Sequence, residues 1–411
     1  MRPVHYYYIG AGSWFVCHGL QGVLFAWLVT MVLRETPGNV GLAQMAMLAP
    51  AMLLMLIGGS VADRFGGKRV AMVSHVLAIV PVLLLIAALA TGRLDFHSMI
   101  LYALAMGCAL AFVTPARDGL LNHVAEGRVQ RTVVKATLIQ FTVQACGALL
   151  AGLAQVVGAV AILGFQATAL AVGALAYSRI HVEVPQRGVP AGAVRDLAAS
   201  VAEGFRTVWR SPSMRAVAGQ NIAMGICFMG SYIVTIPLLV REVYAGDALD
   251  LALVQAVNGF GLITTILVML RGEDVQRQGR ALLLAHGVGG VFLAAAGLGL
   301  GFSTLLACVF LWGACGGVAM SMSRTIMQVE APEGQRGRVM AFFSFSFMGA
   351  GPLGALGCGY LVDWIGPGAA LILASAIMAG VAILFGLKSS LWQLGAAAQH
   401  EDGVASEGLG T

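Results

Sequence analysis

Apolar runs of about 20 residues recur along the whole chain, with short polar breaks between them. A run of that length, wound as an α-helix, crosses the hydrocarbon core of a bilayer. Only 10% of the residues are charged, against about 25% in soluble domains. The pattern therefore predicts an all-α polytopic membrane protein embedded in a lipid bilayer. Twelve spans are predicted, at residues 6–33, 40–62, 70–91, 97–117, 133–155, 158–178, 214–240, 249–270, 281–300, 302–323, 339–362 and 368–387.

The distribution of Lys and Arg predicts how these helices are oriented. If the N-terminus lies inside the cell, all but three of the 24 Lys and Arg residues fall in inner segments. The exceptions are Arg34, Arg93 and Arg241. Basic residues concentrate on the cytoplasmic side of membrane proteins, and one missed helix would invert every later loop. We therefore expect a bacterial-type inner (plasma) membrane, with both termini cytoplasmic.

The longest inner segment divides the chain near its midpoint. Its second part carries Leu197, Val201, Phe205, Val208 and Trp209 at helical spacing among charged residues. This spacing predicts an amphipathic helix in the membrane interface, and a plain solvated linker is the alternative. The predicted parts are an N-terminal six-helix half (1–178), this linker (179–213), a C-terminal six-helix half (214–387) and a disordered tail (388–411).

The two halves resemble each other at a nearly constant offset. A shift of 207 places Arg117 on Arg324, and a shift of 211 places Asp63 on Asp274. The matching residues occur in the same order and on the same side of the membrane. Parallel repeats of this kind are typical of transporters whose binding site lies between the halves, near the middle of the bilayer. The fold class predicted is thus twelve helices in two pseudo-symmetric halves.

A cluster of charges interrupts the apolar sequence at residues 58–70, which read GGSVADRFGGKRV. The Gly-Gly-Lys inside it is not a phosphate-binding loop. That motif requires a Gly where Ala62 stands and a Ser or Thr where Arg69 stands. No other nucleotide-binding motif is present, so no cofactor is expected.

With these residues, the chain resembles the major facilitator superfamily. The 58–70 stretch is similar to that family's signature between helices two and three, roughly G-x-L-A-D-R-x-G-R-K-x. Gly67 departs from a usually basic position, and Val61 replaces Leu. The stretches TPARDGLLNHVAEGRVQRTVVKA and SRTIMQVEAPEGQRGRVMA are similar to the branch with siderophore (enterobactin) exporters and macrolide efflux proteins. The positions that match the signature are Gly59, Ala62, Asp63, Arg64, Gly66, Lys68 and Arg69.

The resemblance implies that this loop is a conformational latch. In the family, its Asp lies against the N-terminus of helix eleven when the transporter faces outward, and the bases pair with nearby acids. A helix N-terminus attracts a carboxylate by about 0.3–1 kcal/mol when exposed. For the bases, simple retention of the loop inside the cell is the alternative. The expected latch residues are Gly59, Asp63, Arg64, Gly66, Lys68 and Arg69, and the candidates for a cytoplasmic gate are Arg117, Asp118, Arg324 and Arg338.

Few polar side chains are expected deep in the membrane. No Asp or Glu lies near the middle of a predicted span, and helix four lacks the central Arg of many proton antiporters in the family. His18 is the deepest titratable group, about 18 Å into helix one at 1.5 Å per residue. It shares a helical face with Trp14 and Gln21. An ionisable residue inside the membrane is a candidate for function, and a neutral His bonded to a neighbouring helix is the alternative.

Other polar residues at helical spacing are candidates for a cavity lining. Interhelical hydrogen bonding is the alternative for each of them. With Trp14, His18 and Gln21, the proton or substrate candidates are Gln140 and Gln144 on helix five, Asn221 and Tyr232 on helix seven, and Gln255 and Asn258 on helix eight.

These features favour an exporter of a small amphipathic molecule, a siderophore or a natural-product antibiotic, that works by alternating access. The lack of buried carboxylates favours a neutral or anionic cargo, and the resemblance implies exchange for protons. We expect a monomer that is not an enzyme, because no catalytic constellation assembles from the loops. A nutrient importer of the same fold and a non-transporting receptor or scaffold are the alternatives.

Two further classes of partner are not expected. The basic residues are scattered between apolar runs, which is unlike a nucleic-acid-binding surface. The seven cysteines all lie in apolar runs and form no CxxC pair. They are interpreted as small core residues, with no metal site.

Overall fold

The computed structural model describes residues 2–125, 129–181, 193–272, 275–332 and 334–394. Twelve long helices in this part of the chain match the predicted spans one for one. They are α1 (Pro3–Val32), α2 (Pro37–Phe65), α3 (Gly67–Ala90), α4 (Phe96–Val124), α5 (Val129–Gly152), α6 (Ala159–Ser178), α7 (Pro212–Glu242), α8 (Ala248–Arg271), α9 (Gln278–Gly297), α10 (Phe302–Glu330), α11 (Arg336–Ile365) and α12 (Pro367–Lys388).

Within the described residues, 11 helices are long and apolar enough to cross a membrane. The exception is α5, whose 24 residues would suffice in length. Polar residues such as Lys135, Gln140 and Gln144 lower its apolar content. It nevertheless belongs to the bundle, because it packs along the whole of α1.

Helix packing repeats between the halves, which confirms the predicted pseudo-symmetry. In the N-terminal half α1 packs on α5, α2 on α4, and α3 on α6. In the C-terminal half the same pairs recur six helices later, as α7 on α11, α8 on α10, and α9 on α12. The halves meet mainly through α2 with α11 and α5 with α8. This arrangement encloses the space between α1 and α8, where the predicted site lies.

Small residues set how closely the helices approach. A Cβ atom on Gly19 of α1 would overlap the carbonyl oxygen of Gln144, and one on Gly147 of α5 would overlap that of Val16. Lipid supplies no hydrophobic driving force between helices, so close backbone packing of this kind stabilises a membrane bundle. It fixes α5 against α1 and carries Gln144 to the level of His18.

Because the helices alternate in direction, the bundle has two distinct ends. We call the basic end the one that carries Arg64, Lys68, Arg69, Arg117 and Arg338, and the opposite end the one with the α1–α2 and α7–α8 turns. The positive-inside rule predicts that the basic end faces the cytoplasm.

A linker helix, Ala193–Arg210, precedes α7 and packs on the start of α11. Its Glu203 pairs with Arg338 at 2.5 Å, and its Thr207 donates to Gln335 Oε1 at 2.6 Å. Phe205 and Trp209 stay 43% and 57% exposed, as an interfacial helix requires. The rest of the predicted linker (182–192) and residues 395–411 of the predicted tail lie outside the described residues.

Candidate functional site

An arginine joins the two halves at the opposite end. Arg241, near the end of α7, donates from Nη1 to the carbonyl oxygens of Thr30 at 3.0 Å and Glu35 at 2.9 Å. The last carbonyls of a helix have no intrahelical partner and carry partial negative charge, which suits a guanidinium. Arg241 thus caps the C-terminal end of α1 from the other half of the molecule. Its Nη2 also pairs with Glu242 at 2.6 Å.

A carboxylate makes the converse contact beside it. Asp363, near the end of α11, accepts a hydrogen bond from the backbone N–H of Gly38 at 2.8 Å. Gly38 lies in the first turn of α2, where backbone N–H groups are unpaired and the helix dipole is positive. Asp363 is therefore a second side chain of the C-terminal half that bonds to a helix end of the N-terminal half.

Backbone contact seals the opposite end next to these charges. A Cβ on Gly359 of α11 would lie 2.6 Å from Pro37 O and 2.9 Å from Gly41 Cα. Deeper in the bundle, Gln44 of α2 donates to the carbonyl oxygen of Ile233 at 3.2 Å. The halves are thus in continuous contact from the opposite end towards the middle.

The predicted latch loop lies at the basic end, and its Asp63 makes no comparable contact with another described residue. Asp63 and Arg64 are exposed, and within the described part of the chain no hydrogen bond or ion pair from Asp63 is found. Gly66 has φ +84° and makes the turn into α3, which a residue with a Cβ adopts poorly. The predicted partner helix α11 is instead joined to the linker helix by the Glu203–Arg338 pair. The role of this loop as a latch stays a prediction, and Asp274 of its second copy lies outside the described residues.

The gate candidates do not contact each other across the halves. Arg117 is buried, pairs with the adjacent Asp118 at 2.9 Å and lies over the Phe15 ring at 4.4 Å. Arg324 is exposed. Their role as a gate stays a prediction.

His18 differs from its neighbours on α1 in its exposure. It is exposed, whereas its neighbours Trp14, Cys17 and Gln21 on α1 are buried. One turn further along the same face, a Cβ on Gly22 would meet Gln255 Oε1 of α8 at 3.1 Å. Because α1 runs from the basic end to the opposite end, this contact closes the space just beyond His18. The two halves are thus in contact on the opposite-end side of His18.

Several of the other candidates are engaged within their own half. The Trp14 ring packs on His75 with centroids 5.3 Å apart. Gln21 donates to Met47 Sδ at 3.2 Å. The remaining engaged candidates are Asn221, which donates to Phe343 O and Ser346 Oγ, and Asn258, which donates to Val309 O. These contacts are of the interhelical kind that the sequence left open for them.

The uncommitted candidates form a small polar set. Gln140, Gln144, Tyr232 and Gln255 are half-buried, and their side chains make no hydrogen bond to another described residue, although the Tyr232 ring packs on Trp312 with centroids 6.0 Å apart. With His18 they offer neutral donors, neutral acceptors and an aromatic face, and none of them is a carboxylate. Such a set suits a small molecule with polar and apolar parts. Whether each one contacts cargo stays a prediction.

Sequence reasoning missed Asp363 and Arg241 as residues that join the two halves. Both are charges close to the end of an apolar helix, and such charges are usually solvated. One signal was available: Arg241 is one of only three basic residues that the positive-inside rule leaves unexplained. For Asp363 no sequence signal distinguished it from other exposed acids.

Comparison with known proteins agrees with this architecture. A family model described as Major Facilitator Superfamily matches residues 11–355. The multidrug efflux pump Tap of Mycolicibacterium fortuitum is 27% identical over 395 residues, covering 92% of each chain. The MFS-type transporter YfiS of Bacillus subtilis is 23% identical over 373 residues, covering 88% of this chain and 87% of its own.

Solved structures show the same fold. A mutant of the nucleoside transporter NupG superposes with TM-score 0.74 at 12% identity, over 94% of this chain and 100% of its own. A bacterial homologue of the human lysosomal transporter Spinster, inward-facing and unoccupied, gives TM-score 0.67 at 13% identity, over 96% of this chain and 97% of its own. At these identities the matches establish the fold alone.

Proposed function

We propose that this chain, which belongs to the Major Facilitator Superfamily, exports a small amphipathic molecule from the cytoplasm by alternating access. The observation that carries the proposal is the exposed His18 beneath a closed opposite end. With the basic end in the cytoplasm, this is the conformation that loads cargo from inside. Rocking the halves would open the opposite end and engage Asp63 with the N-terminus of α11.

Export, and not import, is supported by the relatives. The chain matches the multidrug efflux pump Tap of two genera along nearly its whole length. The cargo we propose is a siderophore or a natural-product antibiotic, neutral or anionic, because the uncommitted cavity residues include no carboxylate. We further propose that protons drive export by exchange, with a monomer in the inner membrane as the working unit.

Deletion of the gene tests this function. We expect the deletion strain to retain an amphipathic metabolite or to become several-fold more sensitive to at least one drug in a panel of antibiotics. A plasmid copy should restore export, and a protonophore should abolish it. A copy with Asp63→Asn should restore about 2- to 5-fold less, since the outward-facing state loses a carboxylate at a helix N-terminus.

Two results would contradict the proposal. If overproduction of the wild-type chain raised the amount of the compound inside the cell, the chain would be an importer. If export persisted after the protonophore, exchange for protons would be wrong. The panel should include siderophores and macrolides as separate arms, because each is a distinct cargo class.

A further inference from the structure

We infer that Asp363 and Arg241 form an outer latch, which holds the transporter closed at the opposite end and is released when that end opens. This inference rests on the proposed alternating-access function. It concerns residues that lie outside the 58–70 loop. Asp363 accepts a hydrogen bond from the N-terminus of α2, and Arg241 donates hydrogen bonds to the C-terminus of α1. Together the two side chains hold the first two helices of the N-terminal half.

The chemistry of both contacts matches the helix ends they touch. A carboxylate meets the positive N-terminus and a guanidinium meets the negative C-terminus, so each contact is favoured by charge as well as by hydrogen bonding. The acceptors and donors on the N-terminal half are backbone groups. Such contacts survive changes of side-chain rotamer on that half and are lost only when the halves separate.

Other carboxylates at the same end show what is special about Asp363. Asp95 caps its own helix by accepting from Ser98 N at 2.9 Å, and Asp247 caps its own helix through Leu249 N at 2.8 Å. Those contacts stay within one helix end, so separation of the halves does not break them. Asp363 and Arg241 bridge the halves, so their contacts stabilise one conformation relative to another.

The antiparallel helices α2 and α11 carry one carboxylate at each end of the bundle. Asp363 of α11 docks on the N-terminus of α2 at the opposite end, and Asp63 of α2 is placed to dock on the N-terminus of α11 at the basic end. In this structure the first contact is made and Asp63 is exposed. Helices α2 and α11 then act as a two-position switch, in which one contact between a carboxylate and a helix N-terminus forms as the other breaks.

The test measures distances between the halves in the full-length protein. Spin labels are placed at Arg93→Cys and Leu300→Cys, two exposed positions at the opposite end, in a variant without native cysteines. The sample is held in lipid nanodiscs without cargo. Asp363→Ala and Arg241→Gln are each expected to lower the ratio of closed to open populations by about 2- to 30-fold, the range for a charge at a helix end.

Asp95→Asn is the matched control. Hydrogen bonds from Ser98 lower the pKa of Asp95, so it is a charged helix cap at the same end, but its contact does not cross between the halves. The control should leave the ratio unchanged, and monodisperse elution should confirm that each variant is folded.

Unchanged distances in both the Asp363 and the Arg241 variants would overturn the outer latch. An equal shift in the Asp95 variant would also overturn it, because the effect would then come from lost charge or helix stability and not from bridging. The readout needs no cargo. A shift in distance combined with no export by the wild-type chain would keep the latch and refute the proposed function.

Discussion

Gly359→Val is expected to reduce export by at least about 10-fold while the protein still folds. A Cβ at this position would lie 2.6 Å from Pro37 O and 2.9 Å from Gly41 Cα, and both are backbone atoms that cannot rotate away. Overpacking of this kind costs about 1–3 kcal/mol. The strain arises only when α2 and α11 meet, so it disfavours the conformation closed at the opposite end.

Gly357→Val supplies the matched control. Gly357 lies two residues away on α11, and no atom comes within 4 Å of its added Cβ. Its substitution changes helix propensity and volume in the same way but leaves the contact of the halves alone. Export assayed with equal amounts of each protein in the membrane should be near wild type for Gly357→Val. An equal loss of export in the two variants would show that the contact between α2 and α11 is not the cause.

His18→Ala is expected to reduce export by about 10-fold or more and to flatten its dependence on pH between about 5 and 8. His18 is exposed and has no hydrogen-bond partner among the described residues, and histidine is the side chain that changes charge in this range. If it carries the exchanged proton, its removal uncouples transport from the proton gradient. The measurement is the initial rate of cargo export from energised cells or vesicles across that pH range.

His97→Ala is the control for general effects of losing a histidine, because its side chain is 94% exposed outside the bundle. It should leave both rate and pH profile unchanged. If His18→Ala weakened export but kept the wild-type pH profile, His18 would contact cargo and the proton would travel elsewhere. That result would contradict the proposed coupling role.

Much of the fold could be predicted from sequence because a bilayer requires each spanning segment of this kind to be an apolar helix of about 20 residues. Span length predicted twelve helices, and the placement of Lys and Arg and the internal repeat agreed with that number. Helix α5 was predicted correctly although Lys135 and its glutamines lower its apolar content. The π-helical segments within α1 and α7, at Leu28–Val32, Met224–Met229 and Ser231–Thr235, were not foreseen. They depend on local packing, which periodicity does not encode.

The site was harder to predict, because its key contacts join residues that are far apart in the chain. Gly38 and Asp363 are 325 residues apart, and neither belongs to a motif. The sequence singled out His18 by its depth alone. It could not separate Gln255, which reaches towards the cavity at Gly22, from Asn258 three residues later, which bonds to Val309 O.

The central claim is that the chain rests with its cavity open to the cytoplasm and sealed on the other side. The most direct test is to label His18→Cys, in a variant without native cysteines, with a membrane-impermeant thiol reagent. Inside-out and right-side-out membrane vesicles expose the two sides in turn. The account predicts rapid labelling in inside-out vesicles and protection in right-side-out ones. Labelling from the external side, with protection from the cytoplasmic side, would contradict it.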